Sequence, residues 1–243
     1  MNQDPFFAYF IKNRESLSQQ MHKEKSLFKR YSRFPQILLP APEQISETFS
    51  DMVSARRSLR EYADRPLTLQ ELSTFFFWSA GRLEKRNKEK DINERRVHPS
   101  GGGKFPLELY VLILKSGEIE RGVYHYNIEM HALEQMITVD IDTTLAQLAP
   151  HDDFAREGGM IILFSFVKDR SVGKYGALAY KLAFMESGHI SQNMYLLSST
   201  LNLACCGMGM NDGSGFDKAL QVDSIDESVF YGLAVGVKRE NVL

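Results

Sequence analysis

The stretch SVGKYGALAYKLAFMESGHISQNMYLLSSTLNLACCGMG, residues 171–209, decides how this chain is read. It opens with Lys174-Tyr175-Gly176, two ionisable side chains beside a flexible hinge. Leu178, Leu182 and Met185 follow at i, i+4, i+7 spacing, one face of a helix. Beyond Gly188 a second apolar stripe runs through Ile190, Met194, Leu197 and Leu201, with Gln192 and Asn193 on its flank. The far end opens into Cys205-Cys206-Gly207-Met208-Gly209. A hydrophobic central helix that ends in a glycine-rich turn can bring backbone N–H groups against a flat ligand, because glycine lets the backbone approach closely. The plainer reading is a core helix followed by an ordinary loop. The rest of the chain has to decide between them.

Its 243 residues can bury a sizeable core, as one domain or as one domain with an arm. A net charge of only -2 gives no global argument for nucleic acid or an anionic membrane as partner. Cys205 and Cys206 are adjacent, which suits neither a disulfide framework nor zinc-ligand spacing and fits a reducing cytoplasm. The apolar run 6–11 is too short to span a membrane, and no cationic leader precedes it. The expectation is a cytoplasmic protein without nucleic-acid or membrane partners.

Outward toward the N-terminus, residues 1–30 read as helical but polar, and Pro35, Pro40 and Pro42 make 31–42 extended. Residues 1–47 are therefore taken as a helical segment plus an arm, either laid over another surface, a partner subunit included, or free in solvent. Residues 48–243 are taken as the main domain. Helical pattern resumes near Ser46 and runs into Arg56-Arg57-Ser58-Leu59-Arg60. Three guanidinium groups and a hydroxyl within five residues can clamp a phosphate; a solvated basic turn explains them as simply. Thr68-Leu69-Gln70-Glu71 is a capping box that opens a helix through Phe75, Phe76 and Trp78 to Gly81. Residues 83–96 form a charged exposed loop leading into His98-Pro99-Ser100-Gly101-Gly102-Gly103. That turn lacks Walker spacing, yet its N–H groups can face a ligand.

Residues 107–114 are nearly all apolar and predict a buried strand. Runs 122–126 and 131–136 predict a hairpin around Asn127, 143–149 a short helix, and 159–167 and 229–237 two further strands. The early hairpin breaks any repeated βαβ rhythm, so the expected class is α+β, a mixed sheet flanked by helices. Metal-site spacings are missing. The glycines from 207 to 213 are one residue off the dinucleotide fingerprint and too near the C-terminus for it, and Gly213-Ser214-Gly215 is not a nucleophile elbow.

Taken in order, these pieces resemble one family. Arg56-Arg57-Ser58-Leu59-Arg60 is similar to the R-R-S-x-R flavin-phosphate motif of the nitroreductase superfamily. Pro99-Ser100-Gly101-Gly102 with Pro106, Glu108 and Tyr110 resembles the P-S-G-G…P-x-E-x-Y signature of its SagB/McbC-type branch. Gly122, Tyr124 and Tyr126 resemble that branch's G-x-Y-x-Y hairpin. Lys174-Tyr175-Gly176, Tyr180-Lys181, Gly188-His189 and Gln192-Asn193 resemble its K-Y-G-x-R-x-Y-R…G-H-x-x-Q-N segment. The likeness spans roughly 50–238 in the right order.

The resemblance implies a nitroreductase-like α+β fold and an interdigitated homodimer with FMN at the subunit interface. It places Arg56, Ser58 and Arg60 on the FMN phosphate, with Lys238 or Arg239 closing on it. Pro99, Ser100, Gly101 and Gly102 would line the ribityl and ring, Gln192 would join them, and Gly207, Met208 and Gly209 would offer backbone donors near the flavin. In azoline dehydrogenases of this branch a Lys-Tyr pair is catalytic, which falls here on Lys174 as base and Tyr175 as ring-orienting group or proton relay. Two departures stand out: Leu178 and Lys181 occupy the positions of the family's two arginines. The implied function is an FMN-dependent dehydrogenase of azolines or related bonds in a peptide or natural product, beside a cyclodehydratase. The alternatives are an NAD(P)H-fed reductase of nitro, quinone or enone compounds, and a flavin-binding subunit that stabilises a complex.

Overall fold

The computed structural model describes residues 26–84, 94–210 and 213–240. The chain runs β1 (Gln36–Leu38), α1 (Phe49–Ala55), α2 (Leu69–Ala80), β2 (Leu107–Ile113), β3 (Gly122–Asn127), β4 (Ala132–Gln135), α3 (Ile141–Leu145), β5 (Met160–Val167), α4 (Val172–Tyr175), α5 (Leu178–Thr200), β6 (Leu203–Gly207), α6 (Ser214–Leu220) and β7 (Glu227–Val237). The strands form one seven-stranded sheet in the order β1-β4-β3-β2-β5-β7-β6. Its class is the expected α+β. Every pairing among the described strands is antiparallel, where a mixed sheet had been expected.

β2 and β5 lie at the centre and bury every residue, which is why both read as continuous apolar runs rather than alternating ones. Their side chains still alternate between two cores. Leu107, Leu109, Val111 and Ile113 face α2 and α5, while Tyr110 and Leu112 face the side covered by α3 and α6.

α2 carries the predicted capping box: Thr68 accepts the Glu71 N–H, Glu71 reaches back to the Thr68 N–H, and Gly81 ends the helix. α5 is continuous through Gly188. It buries Ala179, Ala183, Ile190, Met194 and Leu197, so the second stripe is core to its own chain. The first stripe points outward instead, with Leu178 50% and Met185 59% exposed. Small alanines, rather than the large residues, mark the inner face at this end.

Three further expectations are corrected. Cys205-Cys206-Gly207 belongs to strand β6, paired with β7, and is not a turn; the reversal comes earlier, at Asn202, with φ +54°. The proline-rich arm lies on this chain's own sheet through β1 and β4, neither free nor wholly on a partner. The short helix lies at 141–145 rather than 143–149. Of the helix expected over residues 1–30, 26–30 are not helical; residues 1–25 and most of the charged loop, 85–93, lie outside the described residues.

Candidate functional site

Arg56 caps α1, its N–H bonding back to the Met52 carbonyl, and the chain then leaves helical geometry. Residues 56–60 run along the outer edge of β6, tied by the Leu59 N–H to the Cys205 carbonyl at 3.0 Å. Tyr195 of α5 organises this edge. Its ring lies 5.7 Å from the Arg56 guanidinium, and its hydroxyl accepts the Gly207 N–H at 2.6 Å and stands 3.4 Å from Ser58 Oγ. Arg60 lies over Phe154 at 5.2 Å. Among the described residues no carboxylate pairs with Arg56, Arg57 or Arg60. Lys238 and Arg57 line a cavity of about 90 Å³ beside Tyr195, Ser198 and Asn202. Arg239 is turned elsewhere, onto Glu61 and the Tyr62 carbonyl. Burial pushes the Cys206 thiol up, against the opposing pull of Arg60, so it stands here as a neutral group.

The three backbone donors expected to face a flavin already have acceptors. Gly207 N–H serves Tyr195, Met208 N–H the Gly232 carbonyl, and Gly209 N–H the buried Asp152 carboxylate at 2.9 Å. Gln192 is exposed on α5, one turn before Tyr195.

A second group gathers at the 98–103 turn. Gly102 sits at φ +63°, a conformation that glycine adopts without strain. A Cβ there would stand 2.1 Å from the Tyr175 hydroxyl and 3.0 Å from Lys174 Nζ. Both side chains come from the four-residue helix α4, which Gly176 ends at φ +53°. Lys174 is exposed and Tyr175 half-buried. Ser100 Oγ donates to Glu186 of α5, and His98 Nε2 lies 3.3 Å from the same carboxylate. Pro99 is exposed at the turn's start. The structure thus brings Ser100, Gly101 and Gly102 together with Lys174 and Tyr175, and separately brings Arg56, Ser58, Arg60 and Lys238 to β6. Glu186 and Tyr195 are nine residues apart, half a turn out of phase at about 100° per residue, so the groups occupy opposite flanks of α5.

The family-like signature residues Glu108 and Tyr110 lie in neither group. His125 is held between Glu108 and Glu134, at 2.9 Å from each, and Arg170 also pairs with Glu108. Tyr110 donates to Glu227 and accepts from Lys29 at 2.6 Å. This buried network fastens residues 26–34 to the sheet through Lys29, Tyr31 and the Ser26 carbonyl.

Tyr195, Glu186 and Asp152 had not been singled out from the sequence. Glu186 did leave a signal: it is a carboxylate in the helical phase of Ala183 and Ile190. Among the described residues no cluster of His, Cys, Asp or Glu could hold a metal, and no helix is long and apolar enough to cross a membrane.

The nitroreductase family model matches residues 53–237. A nitroreductase-like protein of Methanocaldococcus jannaschii is 32% identical over 72% of this chain and 83% of its own. The microcin B17-processing protein McbC of Escherichia coli is 26% identical over 45% of this chain and 42% of its own. Two solved structures share the fold. The E. coli microcin synthetase McbBCD complex with truncated pro-MccB17 matches at TM-score 0.64 and 18% identity, covering 98% of this chain and 95% of that one. A nitroreductase-like protein from Desulfovibrio desulfuricans in complex with FMN matches at 0.53 and 18%, covering 82% and 91%.

Proposed function

The chain belongs to the nitroreductase family, and on that premise we propose that it is an FMN-dependent dehydrogenase of azolines or related bonds in a peptide or natural product. The observation that carries the reading is the meeting of Lys174 Nζ and the Tyr175 hydroxyl over Gly102.

The donor set suits FMN. Arg56, Arg60 and Lys238, free of carboxylate partners among the described residues for the two arginines, match a phosphate dianion, and Ser58 adds a hydroxyl. In the 99–102 turn, Pro99 and Gly102 are exposed and offer a surface for a flat ring. When bound, FMN supplies the two-electron redox chemistry. The protein's own part is to manage the proton: Lys174 takes it from the substrate Cα, and Tyr175 orients the ring or passes the proton on.

The two groups flank α5 on opposite sides, which favours a homodimer in which each site draws its halves from different subunits. The exposed Leu178 and Met185 give that dimer apolar surface. Light scattering at micromolar concentration should read a dimer, and a flavin-loaded monomer would refute it. Buried, unpaired Cys205 and Cys206 suit a reducing cytoplasm, and McbC's place in a synthetase complex favours a cyclodehydratase neighbour.

The test is to purify the protein, assay its flavin, and offer an azoline-bearing peptide alongside NAD(P)H with nitro acceptors. Azoline oxidation without NAD(P)H is expected. Steady NAD(P)H consumption with nitro compounds and no azoline oxidation would select the reductase instead.

A further inference from the structure

We infer that Glu186 is a positioning residue of the Lys174–Tyr175 site: its buried carboxylate, set between Ser100 Oγ and His98 Nε2, fixes the turn on which both side chains rest. The inference stands on the function proposed above for that pair.

Glu186 is 2% exposed and His98 3% exposed. A buried carboxylate is costly unless hydrogen-bonded, so its placement demands a reason. One oxygen accepts from Ser100 Oγ. The other faces His98 Nε2 at 3.3 Å, without the alignment of a hydrogen bond. Burial holds His98 toward its neutral form despite the nearby carboxylate. Ser100 Oγ also accepts the Phe105 N–H at 2.9 Å, which closes the turn on itself. Gly101 packs against Leu182, one turn earlier on α5. The turn is therefore fastened to a 23-residue helix at two points, Leu182 and Glu186. Gly102, between the fastened Ser100 and Phe105, is the residue that meets Tyr175 and Lys174. A side chain on a long helix is a rigid anchor, and precision of that kind is what a proton-transfer pair needs.

Positioning and proton transfer separate under substitution. In Glu186→Gln the amide oxygen can accept from Ser100 while the NH₂ faces His98, whose tautomer adjusts. Glu186→Ala removes both contacts. The experiment compares FMN-loaded wild type, Glu186→Gln, Glu186→Ala and Ser100→Ala. It reads amide hydrogen exchange over residues 98–105, flavin content, and the kcat and KM of azoline-peptide oxidation.

Glu186→Ala and Ser100→Ala should speed exchange in the turn by about tenfold or more. They should lower kcat per bound flavin by up to about 10²-fold with little change in KM. Glu186→Gln should restore both readouts to near wild type. Unchanged exchange in both alanine variants would overturn the inference. So would Glu186→Gln matching the alanine variant in lost turnover with its turn intact, because the charge itself would then be the working group. If wild type oxidises no azoline, the proposed function fails, while the exchange measurement still decides the role of Glu186. Should Glu186→Ala not fold, Ser100→Ala carries the same comparison.

Discussion

The Tyr175 hydroxyl lies 2.1 Å from the point where a Cβ on Gly102 would stand, and Gly102 holds φ +63°. Both facts act against any side chain at this position. Gly102→Ala would force an L-residue into left-handed geometry, at about 1–3 kcal/mol, and would displace the Tyr175 ring. The variant should melt modestly earlier and lose turnover per bound flavin out of proportion to stability. Calorimetry together with flavin absorbance checks this. A variant as active as wild type would mean that the Tyr175 contact has no bearing on catalysis.

The His125 network should leave a signature in stability against pH. Both ring nitrogens face carboxylate oxygens, an arrangement that favours the imidazolium, in which both donate. Burial opposes that charge, but the hydrogen bonds and charges of Glu108 and Glu134 raise the His125 pKa overall. A raised value means a contribution that is full below the unfolded value of about 6.5 and lost as pH rises through the folded one. Glu108 has the opposite sign: burial pushes it up, yet Arg170 and His125 bring it down to about 2. Its contribution is full above about 4.3 and lost as pH falls toward 2. Near pH 6, His125→Gln should cost about 3–5 kcal/mol, the penalty for breaking a buried ion pair. That gap, read from urea midpoints, should narrow as pH rises past 7. A gap constant from pH 5 to 9 would rule out the imidazolium.

The proposed phosphate clamp should be separable from the fold. Arg56 and Arg60 contact aromatic rings near the surface and have no carboxylate partner among the described residues, so removing them leaves no buried charge stranded. A hydrogen bond to a charged group contributes about 1.5–3 kcal/mol, so Arg56→Ala with Arg60→Ala should weaken FMN binding by ~10²-fold or more. The melting temperature of apo-protein should hardly move. Tyr195→Phe keeps the ring under Arg56 but leaves the Gly207 N–H without its acceptor, and should weaken FMN less than the double variant. Flavin titration ranks the three proteins; equal affinities would place the phosphate elsewhere.

How much of this was legible depends on what each residue type reports. Continuous apolar runs announced β2 and β5, and the Thr68-to-Glu71 spacing announced α2, because burial and capping are local in sequence. β6 was hidden since Cys206-Gly207 carries turn composition, while its strand geometry comes from pairing with Leu233–Val237 of β7, far along the chain. The orientation of the first part of α5 was missed for a related reason. Leu178 and Met185 look like core, but Ala179 and Ala183 are what fit against the sheet. Lys174, Tyr175 and the glycine turn were each visible in sequence, whereas their meeting at Gly102 is a tertiary fact. Glu108 and Tyr110 show the converse: they belong to a motif-like pattern, and here Tyr110 holds Lys29, while Glu108 pairs with the Arg170 that holds the Ser26 carbonyl.

The last prediction concerns division of labour between the two groups of residues. Lys174 and Tyr175 sit at the 98–103 turn, whereas the arginines sit on the opposite flank of α5. Loss of Lys174 should therefore leave the proposed phosphate clamp untouched. A positioned acid or base contributes about 10²–10⁴-fold in rate, so Lys174→Ala should fold, retain FMN, and lose azoline oxidation by that order. Tyr175→Phe discriminates between two roles for the phenol. If the ring only orients substrate, Phe keeps most activity; if the hydroxyl carries a proton, Phe approaches the Lys174→Ala loss. Nitro reduction removes no Cα proton, so its rate should depend weakly on either residue. The decisive measurement is flavin content and turnover of wild type and both variants on both substrate types. Lys174→Ala that sheds its flavin, or oxidises azolines at the wild-type rate, would move the base to another residue.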